Sequence, residues 1–332
     1  MNNELLLQLS QTVAPSGAEG TLLQQLKKEI EPFVDEIHTD VLGNLIAWKK
    51  GTNPQSGRLM LTANMDERGI MVTHVEESGF WRFVPIGTIE PVRLIGERVR
   101  FTNGVKGIIG AEQTSGKDVT CTELFIDIGA SNAEEALRTV AIGDSAVIEH
   151  TPPEIIGERI IGKSLDNRVG CVILTEIVKR IGVLDHDLYI VFSVQKEVGS
   201  RGIKTATYRI EPDFALVIGT AVTGDTPGAE RSEVKLGKGP AIKVLDDTIV
   251  VPPEIRRKMK ACAEACGIPY QMEVSPQGKS DAGAVHLTQG GIPTAALSVP
   301  LRYPYSPSQM VSLADMERTI ELGIEVLKRA LP

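Results

Sequence analysis

Gly162-Lys163-Ser164-Leu165-Asp166-Asn167-Arg168-Val169-Gly170-Cys171 sets a single carboxylate, Asp166, just ahead of a long stretch with helical apolar periodicity. Taken alone, an Asp at that place is as readily a helix N-cap, accepting from the orphan amides of the first turn, as a functional group. A second stretch tips the balance. In Phe192-Ser193-Val194-Gln195-Lys196-Glu197-Val198-Gly199 an apolar run gives way to polar residues at the expected end of a strand. Residues 58 to 63 form another short apolar run, which delivers Asn64-Met65-Asp66-Glu67 to its end. Ligands of open α/β sheets bind outside the C-terminal edges of the strands, so these ends point to one site.

Working outward, residues 4 to 13 read as a helix. Ser16-Gly17-Ala18-Glu19 has capping-box spacing ahead of a second helix with Leu22, Leu23, Leu26 and Ile30 on its apolar face. Asp40-Val41-Leu42-Gly43-Asn44 is a turn between two strands. From 70 to 154 the texture changes to short alternating stretches broken by Gly, Pro and Asn, which predicts an all-β insert. Beyond Asp166 the chain alternates helix and strand, which predicts a largely parallel sheet covered by helices. Ser312-Leu313-Ala314-Asp315 reads as the cap of a last amphipathic helix running to about residue 330, with Ile320, Ile324, Leu327 and Leu331 on one face. The fold class is therefore α/β, with one domain from 1–69 and 155–332 and a β-rich insert at 70–154.

At 332 residues, 42% hydrophobic and 23% charged, the composition is that of a globular protein with a large core. A net charge of −8 with no dense Lys/Arg block argues against nucleic acid as a partner. No apolar run is long enough to span a bilayer and the first residues lack a signal-peptide pattern, so a cytoplasmic protein is expected. Cys262 and Cys266 are one helical turn apart, but without further ligands nearby the four cysteines read as free thiols rather than a zinc site. Gly224-Asp225-Thr226-Pro227-Gly228 lacks the spacing and the Lys-Ser/Thr of a phosphate loop and reads as a turn. His38, His74, His150 and His286 read as structural residues.

These stretches in order, with Ala14-Pro15-Ser16-Gly17, Ser280-Asp281-Ala282-Gly283-Ala284 and Arg302-Tyr303, make the chain resemble the glutamyl aminopeptidase family of dinuclear metallopeptidases. That family includes the tetrahedral aminopeptidases and proteins labelled endoglucanase or cellulase M. The resemblance runs nearly end to end. It implies a three-layer zinc-peptidase-like domain and a PDZ-like insert used in dimer and dodecamer assembly. It also implies two divalent ions bridged by one Asp, which matches Asp166.

The resemblance breaks at the other ligands. The family's first metal-binding His falls on Asn64, its later Asp on Gly219 and its late His on Tyr305, while Glu197 keeps the second Glu of a Glu-Glu pair. The first Glu of that pair, the general base that takes a proton from metal-bound water, is Lys196 here. A catalytic metal needs about three protein ligands, and an ammonium cannot accept a proton. Asp66 buttresses the His in the family and, with Asn64 in that place, reads here as a structural hydrogen-bond acceptor; Asp281 and Arg302 are candidate contacts for a bound peptide or for the fold's own hydrogen bonds.

The expectation is a chain that needs no cofactor, or at most one weakly bound divalent cation (Zn, Co or Mn), with Lys196 as an internal counter-ion for Asp166 and Glu197. Its role would be peptide binding or assembly as a homo-oligomer, alone or beside an active paralogue. An atypical single-metal hydrolase is the alternative. Metal-free glycoside hydrolysis by Asp166 and Glu197 would need the carboxylates about 5 to 9 Å apart in a sugar groove. With 4% aromatic residues, stacking platforms for sugar are scarce.

Overall fold

The computed structural model describes residues 3–53, 55–112, 119–229 and 231–329. The chain opens with α1 (Asn3–Gln11) and α2 (Gly20–Ile30), then β1 (Glu36–Thr39), β2 (Leu45–Lys49) and β3 (Arg58–Asn64). Next come β4 (Gly69–Val75), β5 (Trp81–Ile86), β6 (Arg98–Phe101), β7 (Lys106–Ala111), β8 (Leu124–Asp127), the single-turn α3 (Ala133–Leu137) and β9 (Ser145–Glu149). After β10 (Glu154–Ile156) and β11 (Arg159–Gly162) follow α4 (Leu165–Arg180), β12 (Asp187–Ser193), α5 (Arg201–Ile210), β13 (Phe214–Val222) and β14 (Ala241–Asp246). The chain ends with α6 (Pro253–Ala265), β15 (Gln271–Ser275), α7 (Asp281–His286), β16 (Thr294–Arg302), β17 (Gln309–Ser312) and α8 (Leu313–Lys328). The predicted last-helix positions 330 and 331 lie outside the described residues.

Strands β4 to β9 close into a six-stranded barrel in the order β4-β5-β8-β7-β6-β9 around Trp81, Phe101, Ile109 and Ile126. The remaining strands form one mixed sheet of order β1-β2-β12-β3-β13-β16-β17-β11-β10, with β14 and β15 branching from β16. Its centre is parallel, with β12, β3, β13 and β16 running together, and so is the β14–β15 pair, while β1, β2, β17, β11 and β10 pair antiparallel and β14 joins β16 antiparallel. Short connections such as the Asp40–Asn44 turn force their strands to reverse, whereas parallel neighbours need a crossover helix. Helix α4 packs on β3 and β13 with α1, α2 and α8 around it. Thirteen of its sixteen residues are buried.

Three predicted caps are used otherwise. Ser16 donates to Asp66 Oδ2 (2.6 Å), so no capping box closes α2. Ser312 makes no side-chain cap, and Asp315 instead accepts from the Gly237 and Gly239 amides. Asp166 lies in the first turn of α4 with non-helical φ −85°, ψ 100°, and its carboxylate turns away from the helix. Ser16 is drawn to a tertiary acceptor, and Asp315 and Asp166 to tertiary donors, in place of the local amides.

The entry to α4 is held by a buried ion cluster. Glu67 receives Lys163 Nζ (2.6 Å), Arg168 Nη2 (3.1 Å), the Ala14 amide (3.0 Å) and the Ser164 hydroxyl. Arg168, fully buried, also donates to the carbonyls of Leu9, Thr12 and Met65. Burial alone would raise the Glu67 carboxyl, but Lys163 and Arg168 outweigh it and hold it below its usual 4.5. Its contribution is therefore complete above that value and lost as pH falls through the lower folded value. Glu67→Ala leaves two buried cations unpaired and is expected to cost about 3 to 5 kcal/mol by urea denaturation at pH 7, the gap from wild type narrowing in acid.

Candidate functional site

The C-terminal ends of β3 and β12 and the middle of β13 open into a cleft of about 1010 Å³. Asn64, Asp166, Lys196, Glu197, Gly219, Asp281 and Tyr305 all line it; Asp66 lies buried behind it. Arg302 is not among the lining residues. Its guanidinium is committed to Asp225 by two hydrogen bonds, which holds the Asp225 carboxyl down to about 2.

The segment bearing Lys196 and Glu197 is tied down from three sides. Val194 N donates to Asn44 Oδ1 (3.0 Å), Gln195 N to Glu19 Oε1 (3.0 Å) and Glu197 N to Asp66 Oδ2 (3.0 Å). Asn44 is itself fixed to Asp40 Oδ2 and the Gly202 carbonyl. Only glycine fits at 202, where a Cβ would fall 2.3 Å from Asn44 Oδ1 and 2.6 Å from the Val194 carbonyl oxygen. These contacts account for the Asp40-to-Asn44 motif: it is both a hairpin turn and the support of the cleft wall.

Lys196 turns inward, its Nζ 2.9 Å from Glu197 Oε1. The direct partner of Asp166 is a residue that sequence reasoning passes over. Arg68 spans the two carboxylates, with Nη2 3.3 Å from Asp166 Oδ2 and Nε 3.0 Å from Glu197 Oε2, while Nη1 donates to the Pro304 carbonyl. The Tyr305 ring lies over this guanidinium, 4.9 Å from its carbon, so Tyr305 offers a π-face to Arg68. Asp166 Oδ1 accepts from Thr220 (2.8 Å). Burial would raise the Asp166 carboxyl, but Lys196 and Arg68 outweigh it and hold it below its usual range. Burial likewise works against the Lys196 ammonium, and Glu197 and Asp166 more than compensate, so its pKa is raised. Lys196 therefore stays a cation.

Asn64 is spent internally: its Oδ1 accepts from Asn167 Nδ2 (3.0 Å) and its Nδ2 donates to Asp66 Oδ1 (3.1 Å). At Gly219 a Cβ would meet nothing within 4 Å, leaving open space on that wall. The His286 Nδ1 pairs with the Ala282 carbonyl within its own helix.

The M42 glutamyl aminopeptidase family profile matches residues 43–322. The chain belongs to that family. An Acetivibrio thermocellus protein provisionally named an aminopeptidase is 42% identical, the match covering 98% of both chains. An aminopeptidase structure from Desulfurococcus kamchatkensis superposes with TM-score 0.94 at 35% identity, covering 99% of this chain and 95% of that one. A Pyrococcus horikoshii TET1 peptidase, which can assemble into a tetrahedron or an octahedral shell, superposes at 0.88 with 31% identity and covers 98% of each chain.

Membership in the M42 family corrects the cofactor expectation. The family's aminopeptidases are dinuclear and metal-dependent, so two divalent ions, not none or one weakly held, are what membership implies. Counting substituted ligands in a sequence misjudged this, because a count of substitutions does not establish what a folded cleft binds. Asp166 and Glu197 are the carboxylates placed for such ions. As they stand, Arg68 and Lys196 fill the ground between them, and an ammonium and a guanidinium oppose a nearby cation. This donor set does not fit two ions, and no reaction step is taken through them.

Asp281 is incompletely satisfied: its Oδ2 accepts from Ser193 (2.9 Å), but Oδ1 is buried with no hydrogen-bond partner among the described residues. Burial raises its carboxyl above 3.8; the hydroxyls of Ser200 and Ser193 and the Lys196 charge pull it down, while Asp66 adds to the rise. A raised folded pKa means the cost grows as pH climbs from 3.8 through the folded value and is complete above it. Asp281→Asn should therefore stabilise the protein at pH 7.5 by roughly 1 kcal/mol in urea, with the gain shrinking in acid. No gain at pH 7.5 would mean the carboxylate finds a partner in solution.

Proposed function

We infer that this M42-family chain binds peptides in the cleft and that its hydrolytic step is lost or severely impaired. The supporting observation is the placement of charge: an ammonium stands at the base position on Glu197, and Arg68 bridges Glu197 to Asp166. General-base catalysis contributes about 10² to 10⁴ in rate, and a lysine held cationic supplies none of it. The carboxylates Asp166 and Glu197, the substituted positions Asn64, Gly219 and Tyr305, and the supporting Asp66 are assigned to this altered centre.

The six-stranded barrel is assigned as a PDZ-like insert for dimer or dodecamer assembly, with a domain boundary near 70 and 154. Assembly of the Pyrococcus horikoshii TET1 peptidase supports a homo-oligomer here, and an active paralogue would be a natural partner. Among the described residues no helix is long and apolar enough to cross a membrane. Four free cysteines support a reducing, cytoplasmic setting. The rival reading, a working aminopeptidase, is favoured by the names of the relatives.

One kinetic comparison separates the two. Wild type and the variant Asn64→His/Arg68→Met/Lys196→Glu/Gly219→Asp/Tyr305→His are assayed on leucine, lysine and glutamate p-nitroanilides with zinc, cobalt or manganese present. The variant is expected to exceed wild type by at least about 100-fold in kcat/KM. Lys196→Glu alone should change little, because groups of one centre act as a unit. Wild-type turnover equal to or above that of the variant would overturn the proposal. Calorimetry with Ala-Ala-Ala tests the binding half, for which saturable binding is expected.

A further inference from the structure

Away from Asp166 and Glu197, the cleft wall built by β14, β15, β16 and α7 carries a second set of buried charges. Lys243 Nζ lies 2.5 Å from Glu273 Oε1 and 3.4 Å from Asp246 Oδ2. Ser298 donates to Glu273 Oε2 (2.6 Å), and Ser280 donates to Asp246 Oδ2 (2.6 Å). Asp281, next in sequence to Ser280, lines the same cavity and brings the unpartnered Oδ1. Among its buried groups the wall thus holds three carboxylates, Asp246, Glu273 and Asp281, and one ammonium, Lys243. Lys204 and Lys279 also line the cavity but are exposed, Lys279 lying 3.7 Å from the exposed Asp247, and Lys196 is engaged with Glu197.

The two paired carboxylates are not equivalent. Asp246 is filled from within, accepting from Thr248 N, Thr248 Oγ1, Ile249 N and Ser280 Oγ, and it does not line the cavity. Among the described residues the Glu273 carboxylate accepts only from Lys243 and Ser298, and it does line the cavity. A carboxylate offers about four acceptor positions, so Glu273 has capacity left. Val217, Ala284 and Ala296 line the same cavity and offer apolar surface to an aliphatic stem.

We propose that this wall is a subsite for a basic side chain, the ammonium or guanidinium of a lysine or arginine residue, with Glu273 as its recognising carboxylate and Asp281 as a second acceptor. An incoming cation offsets the surplus of carboxylates among the buried groups and hydrogen-bonds to Glu273, while an acidic side chain would bring a further negative charge against Glu273 and Asp281 at low dielectric. The inference rests on the reading of the cleft as a peptide site, and names which residue type the cleft selects.

The test is calorimetric binding of L-lysinamide, L-argininamide, L-leucinamide and L-glutamic acid α-amide to the full-length protein at fixed ionic strength. The two basic amides are expected to bind at least tenfold more tightly than leucinamide, and the acidic amide most weakly. In Glu273→Gln the basic preference should collapse while leucinamide affinity stays within twofold. If that variant fails to fold, the order basic, apolar, acidic in wild type decides alone. Equal binding of all four, or preference for the acidic amide, overturns this subsite and leaves the peptide-binding reading standing. No binding of any amide or of Ala-Ala-Ala overturns both.

Discussion

A buried glutamate holds this molecule's working parts in register. Glu67 takes charge-assisted bonds from Lys163 and Arg168 and an amide from Ala14, so it ties the segment after α1, the end of β3 and the entry to α4 to one point. Asp66 sits one residue before it and Asp166 three residues after Lys163, which places both carboxylates around the cleft. Removing water from three charges is costly, and the arrangement stands only because each is paired and further hydrogen-bonded. Such a cluster is specific as well as stabilising. A shift of one residue in β3 or α4 would leave a bare buried ion.

The cleft repeats this logic with cations placed on carboxylates. Arg68, adjacent to Glu67, reaches Asp166 and Glu197 together, and Lys196 adds a second positive charge on Glu197. The loop that carries them is fixed by Asn44, Glu19 and Asp66, three side chains from the first part of the chain. Asn64 is part of the same scaffold, bonded to Asn167 and Asp66.

The barrel has its own apolar core around Trp81 and Phe101, and its ion pairs, Arg82 with Glu76 and Glu112 and Lys106 with Glu149, lie nearer the surface than the buried clusters of the larger sheet. It borders the cleft through Thr88, which joins Arg68 and Tyr305 in the lining. On the opposite side the wing of β14 and β15 supplies the Lys243 and Glu273 pair. The cleft therefore has two polar walls of different character, one charge-balanced and one with more buried carboxylates than buried cations.

Much of this was legible from residue order alone. Periodicity located the long helices and several strands, though not β10, β11, β14 or β17, and the change of texture marked the run of strands that closes as a barrel. The polar ends of apolar runs marked Asn64, Asp66 and Glu197, and the start of a helix marked Asp166. Local spacing could not say where a polar side chain spends its hydrogen bonds. Ser16 and Asp315 look like helix caps in sequence and serve tertiary partners, because the buried acceptor or amide they meet has no water to turn to. Arg68 was invisible as a site residue for the same reason: nothing in Met65-Asp66-Glu67-Arg68 says that a guanidinium will cross to carboxylates 98 and 129 positions away. Sequence motifs marked most of the polar residues that reach the cleft, but not Arg68, and they also marked Arg302, which does not line it. The tertiary structure alone decided which charges pair there, since ion pairing depends on distance and desolvation that only the packed chain sets.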